Sequence, residues 1–589
     1  MFRVLFQAFE LVPRRFRRRW MALAPLAAVS AFLEALAAAG ILALIQLISD
    51  PQADHSRFLG VLRGALGGDN RTFLFRFALA LGGFFVCKNL FRLAEAYIQH
   101  RVAADTGVAI TAQLMQRYLE APYAVHLRRN SADLVHLLTR QVGEVWLVLQ
   151  AGVSMFSESL VALAVIAVLV VAAPWGAVAV ALFLGAVLVG MLRLTYVWHG
   201  RWGWRLHDEG ARFMKAVQEG LAGVKEIKAL GRQSYFVERV REARERVAEP
   251  DVRRQASEHI PRLGVETVFV GGLALLIWSA AATGPGKSLA ATLGLMAYAG
   301  LRLLPSIQLI IYRAERVSLG AAGVQSAYTD LKLPAEAESN GTVSFENGLA
   351  FRDVSFRYEG AERAALSGVN FELRKGESVG VVGPTGSGKS TLVDLALGLL
   401  QPTGGAIAVD GADLKGRERA WRLHVGYVPQ SITLIDDTIR RNVALGVEDK
   451  AIDEMRLREA VRMAQLERFV EALPDGLDTL AGERGVRLSG GERQRLAVAR
   501  ALYAQPDVLV FDEATAALDN RTEQALTETI ERLHGRKTML MVAHRLSTVQ
   551  RCDKLLFLQD GRVADVGSYG ELLERNLEFR AMAAPIEAC

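Results

Sequence analysis

Cysteine is nearly absent from this sequence of 589 residues, which contains only Cys87, Cys552 and Cys589. Three scattered cysteines exclude a disulfide framework and argue against a cysteine-ligated metal centre. The N-terminus also lacks the pattern of a cleavable signal, because the basic run 14–19 leads into an apolar stretch far longer than a signal-peptide core. Internal repeats are missing as well, so each motif discussed below occurs once in the chain.

Long hydrophobic runs, in contrast, are abundant and unevenly distributed. Hydrophobic residues make up 51% of the chain and the mean hydropathy is +0.20, which is high for a water-soluble protein. The apolar runs lie between residues 20 and 312, whereas the remainder has the composition of an ordinary α/β domain. The net charge of +6 lies largely beside those runs. It therefore indicates membrane topology rather than a nucleic-acid partner.

Six apolar segments are long enough to cross a membrane. Each meets or exceeds the ~20 residues that span about 30 Å of hydrocarbon, and they cover 20–49, 72–99, 144–173, 175–198, 260–281 and 288–312. The arginines at positions 14 to 19 precede the first segment and predict that the N-terminus is cytosolic. Six crossings return the chain to the cytosol, so both termini are predicted to be cytoplasmic.

Two stretches on the inner side, 100–143 and 199–259, are long, charged and helical in pattern. Breaks are predicted near Pro122 in the first and near Gly220 in the second. We interpret both stretches as membrane helices that extend into the cytosol, although simple solvated helices fit the same composition.

The first outer loop, from Asp50 to Arg71, is longer than the other two. Its apolar residues recur every three to four positions, at Phe58, Leu59, Leu62 and Leu66. This spacing fits a short amphipathic helix at the outer interface, and a plain connecting loop fits equally well.

The chain is thus predicted to contain four parts. A cytosolic basic N-terminus covers 1–19, and a transmembrane domain with six helices and cytosolic extensions covers 20–315. A polar linker is predicted over 316–343, followed by a nucleotide-binding domain over 344–589.

A phosphate-binding loop lies at the start of that last domain. The pattern G-x-x-x-x-G-K-[ST] is matched by Gly383, Pro384, Thr385, Gly386, Ser387, Gly388, Lys389, Ser390 and Thr391. It follows an apolar strand-like run and opens a helical run, so backbone amides and a helix N-terminus converge on an anion. Lys389 is predicted to reach the β- and γ-phosphates of ATP, and the Ser390 hydroxyl to bind Mg²⁺.

Two acidic residues end a second buried strand, 507–511. Asp512 is placed to hold Mg²⁺ through water, and Glu513 to orient or deprotonate the attacking water. His544 ends another strand, 538–543. A lone histidine is usually a packed or surface residue, but at the carboxyl end of a strand in this sheet it is also a candidate for sensing the γ-phosphate.

The run Leu488-Ser489-Gly490-Gly491-Glu492-Arg493-Gln494-Arg495 resembles the signature sequence of ABC transporter ATPases. Other positions are similar to that family in the same order. Tyr358 corresponds to the aromatic residue that stacks on adenine, Gln430 to the Q-loop, Gly482 to Gly485 to the coupling loop of exporters, and Asp519 to the D-loop. The resemblance implies that Ser489, Gly490, Gly491 and Asp519 contact ATP, that Gln430 contacts both Mg²⁺ and the reaction site, and that His544 is the switch histidine.

The same resemblance covers essentially the whole chain and implies an architecture. It implies a membrane α-helical domain of the ABC exporter type followed by an α/β P-loop ATPase domain, located in the bacterial cell (inner) membrane. In that family two ATPase domains enclose two ATP molecules, and the breaks near Pro122 and Gly220 correspond to coupling helices. Because this chain has one copy of each motif, and none is degenerate, a homodimer is the simplest expectation.

The substrate is indicated only by charged residues inside the predicted spans. Lys88, Arg262 and Arg302 lie at a common depth of ~21 to ~28 Å from the outer ends of their segments, where cations are rare and are functional candidates. They would bind an anionic headgroup, or they would form structural ion pairs with acids at similar depth, namely Glu34, Glu158 and Glu266.

The segments around these three cations resemble those of ABC exporters that flip lipid-linked oligosaccharides, although Lys88 stands where that group tends to carry arginine. The resemblance implies ATP-driven translocation of a polyprenyl-pyrophosphate-linked oligosaccharide. The alternatives are export of a lipid A-like glycolipid, a peptide or a hydrophobic drug, and, from another class, an ATP-gated channel or regulator. The six spans exclude a soluble ABC ATPase of DNA repair or translation.

Overall fold

A computed structural model describes residues 1–49, 64, 67, 70–172, 174–283, 289–336, 341–482, 488–513, 520–543 and 545–583. The chain forms two compact units. One comprises Met1–Ala121 and Arg128–Ala335, and the other comprises Pro122–Leu127 and Glu336–Cys589. The first contains the six predicted spans and is called the membrane unit, and the second contains the predicted phosphate loop and is called the ATPase unit.

Helices joined by short turns make up the described part of the membrane unit. Its helices are Phe2–Leu11, Arg14–Ser49, Asn70–Leu119, Ser131–His136, Val142–Ala172, Pro174–Ala222, Val224–Ala229, Gln233–Ser257, Ile260–Thr283, Leu289–Leu319 and Ala321–Leu331, with a π-helical turn at Leu137–Gln141. Six of these helices contain the six predicted spans, apart from residues 173 and 288, which lie outside the described part. By length and composition, three described stretches can cross a membrane: Arg14–Ile41, Arg71–Leu119 and Ser131–Ala167.

The membrane unit extends beyond the predicted transmembrane domain at both ends. At its N-terminal end, Ala8 and Leu11 of the first helix are buried in the core of the unit. At its C-terminal end, the helix Ala321–Leu331 occupies much of the predicted linker. The Asp330 carboxylate on that helix accepts hydrogen bonds from the Tyr118 hydroxyl at 2.6 Å and from Arg129 Nη1 at 2.7 Å. These buried contacts explain why a polar segment read as a linker is part of this unit.

Both predicted helix breaks are present. The long second membrane helix ends at Leu119, and after Pro122 a short helix begins, Tyr123–Arg128. In the other stretch the helix ends at Ala222, and Gly223 separates it from Val224–Ala229. The predicted amphipathic helix around Phe58 in the first outer loop lies outside the described residues.

The ATPase unit contains two sheets. Their strands are β1 Gly348–Phe356, β2 Leu366–Arg374, β3 Ser378–Val382, β4 Gly404–Val409, β5 Ala412–Asp413, β6 Val425–Val428, β7 Val508–Asp512, β8 Thr538–Val542, β9 Lys554–Gln559 and β10 Arg562–Gly567. The smaller sheet has the order β2-β1-β4-β5 and is antiparallel, and the larger sheet has the order β10-β9-β3-β8-β7-β6.

Helices cover the larger sheet of the ATPase unit. They are Lys389–Ala396, Glu418–Arg422, Ile439–Val443, Glu454–Met463, Glu467–Glu471, Gly490–Tyr503, Asn520–Leu533, Leu546–Val549, Tyr569–Arg575 and Leu577–Ala583, with 3-10 turns at Asp449–Ala451 and Gly476–Asp478. All five residues of β3 and of β8 are buried, as expected for parallel strands that are covered on both faces.

The order of the parallel strands determines where the site lies. Strands β3, β8 and β7 are neighbours and run parallel, so their carboxyl ends meet at one edge of the sheet. The phosphate loop follows β3, and the acidic pair ends β7. The fold therefore brings together two motifs that are more than a hundred residues apart in the sequence.

Candidate functional site

The predicted phosphate loop connects strand β3 to the helix that follows it. Gly383, Gly386 and Gly388 have φ values of 155°, 81° and 101°, which residues other than glycine rarely adopt. A Cβ atom on Gly383 would lie 2.1 Å from the Leu558 carbonyl oxygen, and one on Gly388 would lie 2.6 Å from the Ala365 carbonyl oxygen. The loop can follow this path only with glycine at these positions.

Lys389 lies inside the loop. Its Nζ donates to the carbonyl oxygens of Gly383 at 2.8 Å and of Pro384 at 3.0 Å, and the residue is only 5% exposed. Burial lowers the pKa of Lys389, whereas the carboxylates of Glu513 and Asp512 oppose that change. A buried cation whose direct partners are neutral carbonyls can stabilise an additional anion such as a phosphate.

The remaining loop residues also fit a phosphate and its metal ion. The Ser387 hydroxyl is buried and has no hydrogen-bond partner among the residues that the structure describes, so a ligand oxygen in the loop would satisfy it. Ser390 follows Lys389 and is exposed in the first turn of the helix. With Asp512 and Gln430 it offers the oxygen ligands that Mg²⁺ prefers.

Asp512 and Glu513 lie at the end of β7, as predicted. Glu513 has φ 47°, a left-handed conformation that is uncommon for a side chain of this size, and its amide donates to the Val542 carbonyl oxygen at 2.9 Å. Gln430 Nε2 donates to Glu513 Oε2 at 2.5 Å. Burial, followed by the charge of Glu513, raises the pKa of Asp512. Two of the predicted catalytic residues, Gln430 and Glu513, are therefore in direct contact.

Sequence reasoning missed two residues beside this acidic pair. Asp394 lies on the helix after the phosphate loop, where burial and the charge of Asp512 raise its pKa to about 6. The Tyr427 hydroxyl donates to Asp512 Oδ2 at 3.4 Å, and burial raises the pKa of Tyr427. The signal for Asp394 was available, because it is a lone acid within the apolar run Leu392-Val393-Asp394-Leu395.

Tyr358 lies just beyond the end of β1, near the phosphate loop. Its hydroxyl is 3.1 Å from Thr391 Oγ1, and its ring packs edge-to-face on Phe356 with centroids 4.9 Å apart. The residue is 36% exposed. Its ring can thus present one surface to a base, while its hydroxyl remains at the helix that carries Lys389.

The signature run forms the start of a long helix. Ser489 is the N-cap of Gly490–Tyr503, and its hydroxyl accepts a hydrogen bond from the Glu492 amide at 3.3 Å. Glu492 Oε2 in turn accepts one from the Ser489 amide at 2.7 Å. This capping box fixes the first turn, whose amides and partial positive charge favour a bound anion.

Two predicted residues and one predicted loop lie wholly or mostly outside the described part of the chain. His544 and Asp519 lie outside the described residues, as does most of the exporter loop from Gly482 to Gly485. Strand β8 ends at Val542, two residues before His544. Val542 pairs with Asp512 of β7, so the carboxyl ends of the two strands lie side by side.

The predicted membrane cation Lys88 forms an ion pair. Lys88 Nζ lies 3.1 Å from Glu34 Oε1, and the two residues are 5% and 1% exposed. Lys88 Nζ also lies 4.4 Å from the centroid of the Phe85 ring. For this residue the structure contains the ion pair that was the alternative to headgroup binding.

Arg92, which was not among the predicted residues, extends the Lys88–Glu34 pair into a network of charged side chains. Arg92 Nη2 lies 2.9 Å from Glu158 Oε1, and Arg92 Nη1 lies 4.0 Å from Glu34 Oε2. The Ser306 hydroxyl donates to Glu158 Oε2 at 2.9 Å. Arg92 is one helical turn from Lys88, so the i, i+4 spacing of two cations was the available signal.

The other two predicted substrate residues differ from Lys88. Arg262 and Glu266 are both exposed in the single chain, and no ion pair joins them to each other or to any other described side chain. Arg302 lies in the helix Leu289–Leu319, and its side chain is outside the described part. For Arg262, the alternative of a structural ion pair with Glu266 is therefore not realised between these two described residues.

Comparison with known proteins identifies both units. The family described as "ABC transporter" matches residues 366–516, and the family described as "ABC transporter transmembrane region" matches residues 27–282. A solved structure of a bacterial Atm1-family ABC exporter with ATP bound has a TM-score of 0.83 and 26% identity. That match covers 98% of this chain and 100% of the other.

Curated relatives cover nearly the full length. An "ATP-dependent lipid A-core flippase" of Ralstonia nicotianae is 31% identical over 96% of this chain and 95% of its own length. A protein of the same name from Cupriavidus metallidurans is 31% identical over 88% of each chain.

Proposed function

The chain belongs to the ABC transporter family as an exporter with a fused ATPase, and we propose that it uses ATP to flip an anionic glycolipid from the inner to the outer leaflet of a bacterial inner membrane. The observation that carries this proposal is similarity over 95% of a relative named as a lipid A-core flippase. A motif shared only by the ATPase unit would not favour any substrate, whereas this similarity includes the membrane unit as well.

The ATPase unit binds ATP, and its residues support a division of roles. Lys389 and the loop glycines hold the phosphates, Tyr358 stacks on the base, and Glu513 accepts the proton of the attacking water. Gln430 uses its amide nitrogen to orient Glu513, which leaves its amide oxygen for Mg²⁺ beside Ser390 and Asp512. The metal ion, when bound, would neutralise charge that develops on the phosphates. His544 and Asp519 complete this proposed set.

A homodimer would supply the second half of each nucleotide site. One chain carries one phosphate loop and one signature, and the signature Ser489-Gly490-Gly491 forms a capped helix start suited to a phosphate of ATP held by another subunit. None of the described catalytic positions is degenerate, so two identical chains would give two competent sites.

Of the three predicted cations in the membrane unit, only the two arginines remain candidates for binding an anionic substrate. Lys88 is neutralised by Glu34 and acts in the proposed transporter as a structural residue. Arg262 is an exposed cation at the inner end of its helix, and with Arg302 it remains a candidate for contact with a substrate phosphate. An arginine suits this role because its guanidinium can bind phosphate with two parallel hydrogen bonds.

The second candidate is a polyprenyl-pyrophosphate-linked oligosaccharide. It is favoured by the segments around Lys88, Arg262 and Arg302, which resemble those of exporters for that lipid. It shares a phosphorylated headgroup with the lipid A-core class, so both substrates fit the exposed guanidinium group of Arg262.

Transport in vesicles tests the proposal. The purified chain is reconstituted with a fluorescent lipid A-core glycolipid or with a polyprenyl-pyrophosphate glycan, and a membrane-impermeant quencher reports the leaflet of each. We expect ATP-dependent movement of one of these lipids and none with Glu513→Gln. Movement of apolar amines or peptides, with both glycolipids stationary, would contradict the proposal. Passive ion conductance at constant ATP would instead indicate a channel.

A further inference from the structure

An open groove lies within the membrane unit at the inner ends of two membrane helices. It has a volume of about 560 Å³, which is within the range of small-molecule sites. One wall is formed by Trp198, Arg201, Trp202 and Arg205 of the helix Pro174–Ala222. Arg253 and Ile260 face them from the adjoining helices Gln233–Ser257 and Ile260–Thr283.

The four residues of the first wall form one helical stripe. Positions 198, 201, 202 and 205 follow the i, i+3, i+4, i+7 spacing of one helix face. The Trp198 and Trp202 rings have centroids 6.5 Å apart, and Trp198 is 44% exposed. Two indole rings thus alternate with two guanidinium groups along the groove.

Within the described part of the chain, no carboxylate pairs with the two arginines of this stripe. Neither Arg201 nor Arg205 forms an ion pair with any described residue, and on the other wall Arg253 pairs only with the exposed Glu249 at 2.6 Å. The neighbouring acids bind arginines elsewhere: Asp251 and Glu258 bind Arg254, and Glu209 binds Arg212 and Arg246. The groove therefore presents uncompensated positive charge beside an apolar surface.

The position of the groove in the chain indicates its surroundings. Residue 198 ends one predicted span and residue 260 begins the next, so the groove lies at the level where the inner leaflet meets the cytosol. Tryptophan and arginine are the side chains that suit this level, since indoles occupy the headgroup region and guanidinium groups attract anionic lipid.

We propose that this groove binds the phosphate headgroup of an anionic phospholipid of the inner leaflet. Arg201 and Arg205 hold the phosphate, Arg253 contributes from the opposite wall, and Trp198 and Ile260 contact the glycerol and the upper acyl chains. The occupant is a membrane lipid rather than a soluble anion, because half of the lining residues are apolar or aromatic and the groove lies at the level of the inner leaflet. This inference does not depend on which lipid is transported.

Photo-crosslinking tests the proposal without transport or ATP. The full chain is reconstituted in phosphatidylcholine vesicles that contain a photoactivatable phosphatidylglycerol, and the yield on peptides covering 198–205 and 253–260 is measured. Two lost guanidinium contacts at the surface reduce lipid binding by about tenfold or more. We therefore expect at least that loss in R201Q/R205Q and much less in R201K/R205K. The matched control is R241Q/R244Q, which removes two exposed arginines of the helix Gln233–Ser257 away from the groove, and its yield should equal that of the wild type.

Four outcomes would overturn the inference. They are an unchanged yield in R201Q/R205Q, an equal yield with photoactivatable phosphatidylcholine, full competition by soluble glycerol phosphate, and labelling of the groove by a second copy of the chain instead of lipid. Basal ATP hydrolysis measured on the same samples reports whether each variant is folded. Because this readout needs no glycolipid, its failure leaves the flippase proposal intact, and the converse also holds.

Discussion

The ATPase unit and the membrane unit both bury a lysine, but they surround it in opposite ways. Lys389 donates to two backbone carbonyl oxygens at 2.8 and 3.0 Å, and no carboxylate pairs with it directly among the described residues. Lys88 is buried to the same extent and is paired with Glu34 at 3.1 Å. The first arrangement leaves a cation ready for an anionic ligand, whereas the second satisfies the charge within the fold.

This difference separates a binding site from a structural network more reliably than burial or charge alone. Both lysines are rare buried cations, and both were candidates for ligand binding. The partner decides the role, because a neutral carbonyl does not cancel a charge and a carboxylate does. The predictions below test this distinction, from the largest expected effect to the smallest.

Glu513→Gln should produce the largest effect. Removal of a general base lowers turnover by roughly 10²–10⁴, while the phosphate loop that holds ATP stays intact. Nucleotide affinity and steady-state ATP hydrolysis are measured on the same preparation. Glu471→Gln, at an exposed position of the ATPase unit, is the matched control and should hydrolyse ATP at the wild-type rate. Near-normal turnover in Glu513→Gln would remove this residue from the role of base.

Asp394→Asn should change how stability depends on pH. The folded state raises the pKa of Asp394 from 3.8 to about 6, so the carboxyl retains its proton while the unfolded chain releases it. The protonated carboxyl contributes fully to the stability of the fold below pH 4, and this contribution is lost as the pH rises through 6. Because the side chain is only partly buried, solvent screening keeps the loss well below the ~3 kcal/mol that the full shift would give. The variant should therefore be more stable than the wild type at pH 7 and equal to it near pH 4.

Unfolding at several pH values, without nucleotide or Mg²⁺, provides the measurement for Asp394. Glu471→Gln should show the wild-type profile. A constant difference between Asp394→Asn and the wild type at all pH values would mean that the effect comes from packing rather than from ionisation.

Substitutions of Lys88 and Glu34 in the membrane unit should have coupled effects on stability rather than a direct effect on ATP hydrolysis. Lys88→Met and Glu34→Gln should each lower the unfolding temperature, and the double variant should lose less than the sum. Residues in one network couple by about 0.5–3 kcal/mol. Arg92, which also approaches Glu34, limits the cost of Lys88→Met.

The matched control for this double-mutant cycle is Lys215→Met. Its ion pair with Glu219 is long, at 3.9 Å, and exposed, so little stability should be lost. Additive effects of Lys88→Met and Glu34→Gln would refute the structural pair. Restored stability without restored transport would show that Lys88 has a second role in the substrate pathway.

Alanine substitutions at two helix caps, one in each unit, should have the smallest effects, and their effects on stability should be similar. Ser489 caps a helix of the ATPase unit, and Asn130 caps the helix Ser131–His136 of the membrane unit through its contact with the Ala132 amide at 2.9 Å. Substitution of either by alanine should cost about 1 kcal/mol of stability. Only Ser489→Ala should also slow ATP hydrolysis, because only this cap belongs to a nucleotide motif. An equal loss of turnover in Asn130→Ala would contradict that distinction.

The sequence was most informative where chemistry depends on adjacent residues. The phosphate loop, the acidic pair after β7 and the capped signature helix each need a fixed local backbone, so their residues are neighbours in the chain. The breaks near Pro122 and Gly220 were predictable for the same reason, and the structure has the second at Gly223. Asp394 and Tyr427 were missed because their proximity to Asp512 arises only when separate strands and helices assemble.

In the membrane unit, contacts between residues that are distant in the chain could not be predicted from the sequence. Lys88, Glu34 and Glu158 were recognised as candidates, but depth along a helix does not specify which face a side chain occupies. Arg262 and Glu266, four residues apart, suggested an ion pair that the structure does not form. The segment predicted as a linker contains Asp330, which Tyr118 and Arg129 contact from more than 200 residues away.

The short helix after Pro122 affects how the protein is made. Residues 122–127 belong to the ATPase unit, where Tyr123 and Ala124 pack against its core, although the rest of that unit begins at Glu336. At 5–20 residues per second, the ribosome finishes the chain on the order of tens of seconds after it makes this helix. The early segment must remain accessible throughout that interval, while later membrane helices are still being inserted. A fragment that starts at Glu336 lacks it altogether and exposes the apolar surface that Tyr123 and Ala124 would cover.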